Sequence, residues 1–173
     1  MTSMTKVAIM LAVKQDLSIQ PRTHYTINEL TRSVQVSRST LYYHFRGGLP
    51  ETFAYTFQQE IISPIQTHQL DWPATTEFLL AYIGNHQVLV KNMYQLSDST
   101  QIIIAIQRAL TQTLAANYDQ ITALKNTTVL TQQLQVLSAA LLFELQLWLL
   151  DNFTEDWHQI QRRLALFDCR LDS

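Results

Sequence analysis

Glycine and proline are scarce in this chain, three and four residues among 173. Tight hairpins lean on Asn-Gly and similar pairs that reach positive φ, so this scarcity excludes a strand-rich fold with many turns. Leu, Ala and Gln are abundant instead, and these residues lose little freedom in a helix. A single cysteine, Cys169, rules out an internal disulfide, and no early stretch joins a basic start, an apolar run and a small-residue cleavage site, so a cytoplasmic protein is expected. Charged residues make up only 15 % against 47 % apolar, a balance that builds a core rather than a disordered chain. The most apolar stretch, 136–150, is shorter than the roughly 20 residues of a membrane span. It also contains Ser138, Glu144 and Gln146, so it reads as a buried helix, with no membrane partner expected.

Signatures of chemistry are missing as well. There is no Gly-x-Ser-x-Gly, no glycine-rich phosphate loop and no His-Glu-x-x-His, so catalysis is not expected. His24, His68, His86 and His158 form no pair at the four-residue spacing of a helical metal clamp, and no metal or cofactor is expected.

What is present is an uneven charge. The net charge is -2, yet residues 1–48 hold Lys6, Lys14, Arg22, Arg32, Arg38 and Arg46 against Asp16 and Glu29, a balance of +4. The remainder carries -6, giving a basic head on an acidic body, and basic heads meet phosphate.

Apolar spacing organises the head into short helices. Val7, Met10 and Leu11 mark a first helix over 5–16, closed before Pro21. Thr26 and Glu29 have the capping-box spacing, with Ile27, Leu30 and Val34 as the buried stripe of a second. Ser37 is placed to cap a third, where Leu41, Tyr42 and Phe45 recur at three to four residues and Gly47 and Gly48 end it. Pro50 suits the start of a fourth helix reaching Ile62, which Pro64 bends or stops. Three long stretches follow, 75–95, 99–118 and 128–152, then a last helix over 154–170 capped by Thr154. The fold class expected is all-α, with a helix-turn-helix domain over 1–48 and a helical-bundle body over 49–173, joined by the helix 49–63.

Two short helices and a turn, the second helix starting with small polar groups, describe a helix-turn-helix. The run Thr26-Ile27-Asn28-Glu29-Leu30 through Val36-Ser37-Arg38-Ser39-Thr40-Leu41-Tyr42-Tyr43-His44-Phe45 resembles that of the TetR family, and Leu-Tyr-Tyr-His-Phe is its most diagnostic part. The likeness covers residues 6–57. By position it implies that Thr26, Arg38, Ser39, Thr40, Tyr42, Tyr43, His44 and Arg46 approach bases or phosphates of a double-stranded DNA operator, with Ser37 as cap. The chain departs from the family pattern at Gln35, where glycine is usual, and at Gly48, in place of a phosphate-binding lysine.

The stripe Leu134, Leu141, Leu145, Trp148, Leu149 is flanked by further apolar residues, so this helix is expected to be buried on two sides. With Trp157, Ile160, Leu164 and Phe167 of the last helix it is expected to pair with a second copy, a homodimer of the kind the resemblance implies. Paired recognition helices about 34 Å apart would read a palindrome. Tyr82, His86, Met93, Tyr94, Ile106 and Gln107 are candidates for a pocket holding a small-molecule effector. The function expected is a ligand-responsive repressor; the alternative is a TetR-like protein without operator binding that acts through another protein, motivated by Gln35 and Gly48.

Overall fold

The apolar spacing becomes ten α-helices and one π turn in a computed structural model that describes residues 4–97, 99–122 and 127–165. They are α1 (Met4–Ser18), α2 (Ile27–Val34), α3 (Arg38–His44), α4 (Leu49–Phe57), the π turn Gln58–Ile62, α5 (Ser63–Thr67), α6 (Trp72–Asn85), α7 (Gln87–Gln95), α8 (Ser99–Thr122), α9 (Thr127–Leu150) and α10 (Trp157–Ala165). No strand occurs among the described residues, so the all-α class holds. Two compact units result: Met1–Glu60 with His86–Ser99, and Ile61–Asn85 with Thr100–Ser173.

The first unit is wider than a three-helix head. Ile9, Val13 and Leu17 line one face of α1 and are buried with Leu30, Leu41, Phe45, Phe53 and Leu89, the last contributed by α7. The stretch 75–95, expected as one helix, breaks at His86, whose backbone leaves the helical region at φ -128°, ψ 33°. Gly84 and Asn85, both weak helix formers, precede the break, and past it α7 lies against α1. There Asn92 is fully buried. Its Nδ2 donates to the carbonyls of Leu17 and Gln20, each at 2.8 Å, and its Oδ1 accepts from the Arg22 amide at 2.7 Å. One side chain thereby ties off the end of α1 and the chain leading to α2, meeting backbone groups that a helix terminus leaves without partners.

In the second unit Trp72, Leu80, Leu110, Leu114, Leu134 and Leu141 are among the most buried side chains. Buried Asn117 donates to the carbonyls of Ile65 (3.1 Å) and Leu70 (2.9 Å), and the Tyr118 hydroxyl accepts from the Trp72 amide at 3.3 Å. The last helix starts later than expected. Asn152 and Phe153 adopt left-handed φ values of 54° and 59°, and their amides return to the carbonyls of Leu149 and Trp148 to close α9. Asp156, not Thr154, then accepts from the His158 amide at 3.0 Å at the head of α10; Thr154 bonds to Asp151 instead. Residues 166–170 of the expected helix, including Phe167, lie outside the described residues.

Helix α9, Thr127–Leu150, follows the expected stretch 128–152 closely, but its apolar part is longer than 136–150. Thr128–Leu150 is 23 residues, long and apolar enough to cross a membrane by length and composition, with 33 % of its most apolar stretch buried within the chain. Val129, Leu130 and Leu134 extend the apolar run ahead of Val136.

Asn92→Ala is expected to destabilise the protein by about 3 kcal/mol, since it strands buried backbone partners. Asn92→Asp, nearly the same shape, should also destabilise because an acceptor would face the two carbonyls. Urea unfolding of both variants checks this, and an unchanged midpoint for the aspartate variant would remove the hydrogen-bond explanation.

Candidate nucleic-acid interface

The second helix is set by its cap. Thr26 Oγ1 accepts from the Glu29 amide at 3.2 Å, while Glu29 Oε2 accepts from the Thr26 amide (2.8 Å) and hydroxyl (2.7 Å). The hydrogen bond from Thr26 is the main cause that holds the Glu29 carboxyl below its ordinary pKa of 4.5, assisted by His24 and Arg22. The helix closes at Gln35, in the left-handed region at φ 58°, ψ 40°. That conformation costs a non-glycine residue about 1 kcal/mol; it is offset here by the Val36 amide reaching the Thr31 carbonyl at 3.0 Å.

The third helix follows from Ser37, whose hydroxyl accepts from the Thr40 amide at 3.0 Å and also meets Ser39 Oγ (2.7 Å) and Thr40 Oγ1 (2.8 Å). Leu41 and Phe45 are the side chains it buries, as their spacing predicts. The opposite face is open: Arg38, Ser39 and Arg46 are exposed, Tyr42 is 44 % and Tyr43 81 % exposed, and Thr40 and His44 are half-buried. The Tyr43 and His44 rings meet edge to face at 5.0 Å. Thr26 sits at the start of α2 with its hydroxyl engaged by the cap.

Gly48 occupies φ 67°, ψ -136°, a region side chains rarely enter. A Cβ there would also lie 3.4 Å from Ile27 Cδ1 and 3.6 Å from Tyr42 Cε1. A lysine in this backbone setting would therefore be strained. The turn is fastened by Glu51, whose carboxylate accepts from the Gly47 amide at 2.7 Å.

Ion pairing sorts the basic residues by face. Lys14 pairs with Glu60 and Arg22 with Glu29, while Lys6 lies 5.3 Å from the Phe45 ring centroid and 5.6 Å from that of Tyr55. Arg32, Arg38 and Arg46 have exposed side chains that form no hydrogen bond or ion pair with described residues. Arg32 was missed in the sequence because charge alone does not tell a paired cation from an unpaired one. Behind this face, Tyr25 donates to Asp16 at 2.6 Å and Ser33 to the other oxygen at 3.0 Å. Burial and Asp16 push the Tyr25 phenol well above its ordinary pKa, so it stays a donor.

The six pocket candidates do not gather in one unit. His86, Met93 and Tyr94 belong to the first; Tyr82, Ile106 and Gln107 belong to the second. Met93 packs on the first unit's core, and Gln107 donates to the Gln135 carbonyl at 3.2 Å. Tyr82 is half-buried, 6.4 Å from Phe78 between ring centroids.

Of the residues expected at a dimer seam, Leu134, Leu141, Leu145, Trp148, Leu149, Ile160 and Leu164 are buried within the single chain, and Trp157 is half-buried. They serve its own core, since α9 has two apolar faces and this one turns inward. The apolar side chains left exposed on α9 are Val129, Val136, Phe143, Leu147 and Leu150. Among the described residues, no group of three or more His, Cys, Asp or Glu side chains could hold a metal ion.

No protein-family model matches the chain, and no curated protein matches it. Among solved structures it is similar to "Dihydroxyacetone kinase operon activator DhaS", with a TM-score of 0.70 and 12 % identity, over 97 % of this chain and 96 % of that one. At that identity the likeness establishes the fold: the all-helical arrangement is shared along nearly the whole of both chains.

Two outcomes are expected from this geometry. Gly48→Lys should lower stability by about 1 to 3 kcal/mol, read as a lower thermal midpoint, without strengthening binding to duplex DNA. The depressed Glu29 carboxyl stabilises the fold above its ordinary pKa, and that contribution is lost as pH falls through the folded value. The stability gap between wild type and Glu29→Gln should therefore shrink below pH 4.5. A constant gap across an acid titration of urea midpoints would show that the cap's charge is immaterial.

Proposed function

We propose that this chain is a DNA-binding transcriptional regulator, a TetR-like repressor that acts as a homodimer on a palindromic operator and answers to a small molecule. The observation that carries the reading is the cluster of unpaired Arg32, Arg38 and Arg46 around an α3 whose Tyr43 stands 81 % exposed. Unpaired exposed cations cost little to bring to phosphate because no internal ion pair must break. Arg38 begins α3 with its guanidinium donors unspent, suited to a base edge or a phosphate. Ser39 and Thr40 already share Ser37, which suits them to fixing the helix start and touching backbone oxygens.

In this reading the second copy covers the outer row of α9. Val129, Val136, Phe143 and Leu150 recur every seven residues, and Leu147 widens the strip. Glu144 is the one charged residue in Thr127–Leu150, and it is held by Arg163 at 2.6 Å. Such an uncharged strip is self-complementary across a two-fold axis. The departures at Gln35 and Gly48 have local accounts that leave α3 exposed, which favours DNA reading over a purely protein-docking role. The sign of regulation has a second reading, activation, favoured by the printed name of the structural neighbour, an operon activator.

Selection of binding sequences from random duplex DNA, followed by titration at two salt concentrations, tests the assignment. A palindrome with steep salt dependence is expected; absence of enrichment at low salt would end it. On the selected site Arg38→Ala and Tyr43→Ala should each weaken binding by about 1 to 3 kcal/mol with folding intact. The double variant Phe143→Glu, Leu147→Glu should sediment as a helical monomer, and a variant that still dimerises would place the seam elsewhere.

A further inference from the structure

Between Met4 and Ile19, every residue open to solvent is uncharged: Met4, Ala8, Leu11, Gln15, Ser18 and Ile19. Three of them are large and apolar, Met4 89 %, Leu11 53 % and Ile19 71 % exposed. Apart from Ser18 they follow one another at steps of three and four residues, and so form one strip along α1 and its end. The opposite face, with Ile9, Val13 and Leu17, is committed to the core. The charged residues of the helix are drawn to its flanks. Lys6 lies against the Phe45 and Tyr55 rings, Lys14 pairs with Glu60, and Asp16 accepts from Tyr25 and Ser33.

Such a strip is ill suited to DNA, since it offers no cation to phosphate. It is well suited to its own copy. In an antiparallel pairing across a two-fold axis with Leu11 at the centre, Met4 of each copy would meet Ile19 of the other, and Ala8 would leave room for Gln15. Each residue then finds a complement, with no charge left to neutralise. Size limits what this contact does alone. A helix of 15 residues is about 22 Å long. Covering one narrow strip of that length on two copies falls well short of the roughly 1,200 Å² that a specific stable interface buries. Like charge opposes the contact too, because residues 1–48 of each copy carry +4. On a duplex the phosphates neutralise that charge and hold the copies at high effective concentration.

We propose that the exposed strip of α1 is a self-contact, through which copies of this chain seated at neighbouring sites of one duplex touch, so that filling one site favours filling the next. The inference goes beyond the regulator reading to a contact between regulators, and rests on that reading for the DNA. It is separate from the outer row of α9. That row joins two copies in the proposed dimer before DNA is met, whereas the α1 strip acts only where DNA has already brought copies together.

Duplexes carrying one selected site, or two at spacings stepped by single base pairs through one helical turn, test the contact. The wild type is expected to bind the one-site duplex simply and, at one preferred phase, to fill the second of two sites roughly 10- to 100-fold more tightly than the first. Leu11→Gln, and the triple variant Met4→Gln, Leu11→Gln, Ile19→Gln, should keep the one-site affinity and the thermal midpoint but fill two sites independently. In a chain carrying Cys169→Ser, Leu11→Cys should form a disulfide between copies on the two-site duplex and not on the one-site duplex. Independent filling by the wild type at every spacing, or coupling that survives both variants, would overturn the proposal and leave the strip to a different protein. A disulfide formed equally on one site would move the contact inside a single dimer and overturn it as well. Failure of the regulator reading is a distinct result. No one-site binding by the wild type would remove that reading and this contact together, whereas one-site binding without coupling removes the contact alone.

Discussion

Much of the first unit depends on the buried amide of Asn92. A head of three short helices encloses little apolar volume, and chains of that size are marginal unless something is added to the core. Here the addition is α7, whose Leu89 is buried in the head cluster with Met93 and Leu96 packed against it. Apolar contact alone would let such a helix slide. The amide fixes its position, because two donated bonds and one accepted bond must be made at once to backbone groups of α1 and the following linker. Polar specificity inside an apolar contact is what makes the five helices a single body.

Around that body the charges divide their work. Cations that brace the fold are matched: Lys14 with Glu60, and Arg22 with Glu29, whose other oxygen caps α2. Those bordering α3 are unmatched. In the proposed complex, phosphate would complete them, so association need not break an existing pair. The same economy governs the turn after α3, where Glu51 takes the Gly47 amide and Gly48 assumes a backbone setting that a larger residue would strain. A lysine there would be strained by that conformation, while Arg46 two residues earlier keeps positive charge beside α3.

What could be read in the sequence was local. The capping box Thr26/Glu29, the Ser37 cap and the Leu41/Phe45 pair act over three or four residues, so their spacing alone places α2 and α3. The break at His86 could not be read that way: apolar periodicity runs on from α6 into α7, and Gly84 and Asn85, weak helix formers, do not by themselves end a helix. Asn92 left a faint trace as a polar residue on the face carrying Leu89 and Leu96, but nothing in the sequence names backbone partners seventy residues away. Face selection on α9 was equally hidden. Leu134, Leu141 and Leu145 on one side and Val136, Phe143 and Leu150 on the other have comparable apolarity, and composition cannot say which turns inward. The π turn escaped because Pro64 signals disruption without telling a bend, a stop and a widened turn apart.

The two faces of α9 also constrain how the chain can associate. Its inner face carries buried Ser138, and nearby Glu144 is clamped by Arg163 of α10, so that side is committed to the chain's own body. The outer row presents Val136 and Leu150 more than half exposed along with Phe143, and apolar area of that extent favours a partner. In the proposed dimer a second copy related by a two-fold axis would cover the outer rows of both copies in one contact, whereas any head-to-tail arrangement would leave one row open on each terminal copy. The closed solution also duplicates α3 symmetrically.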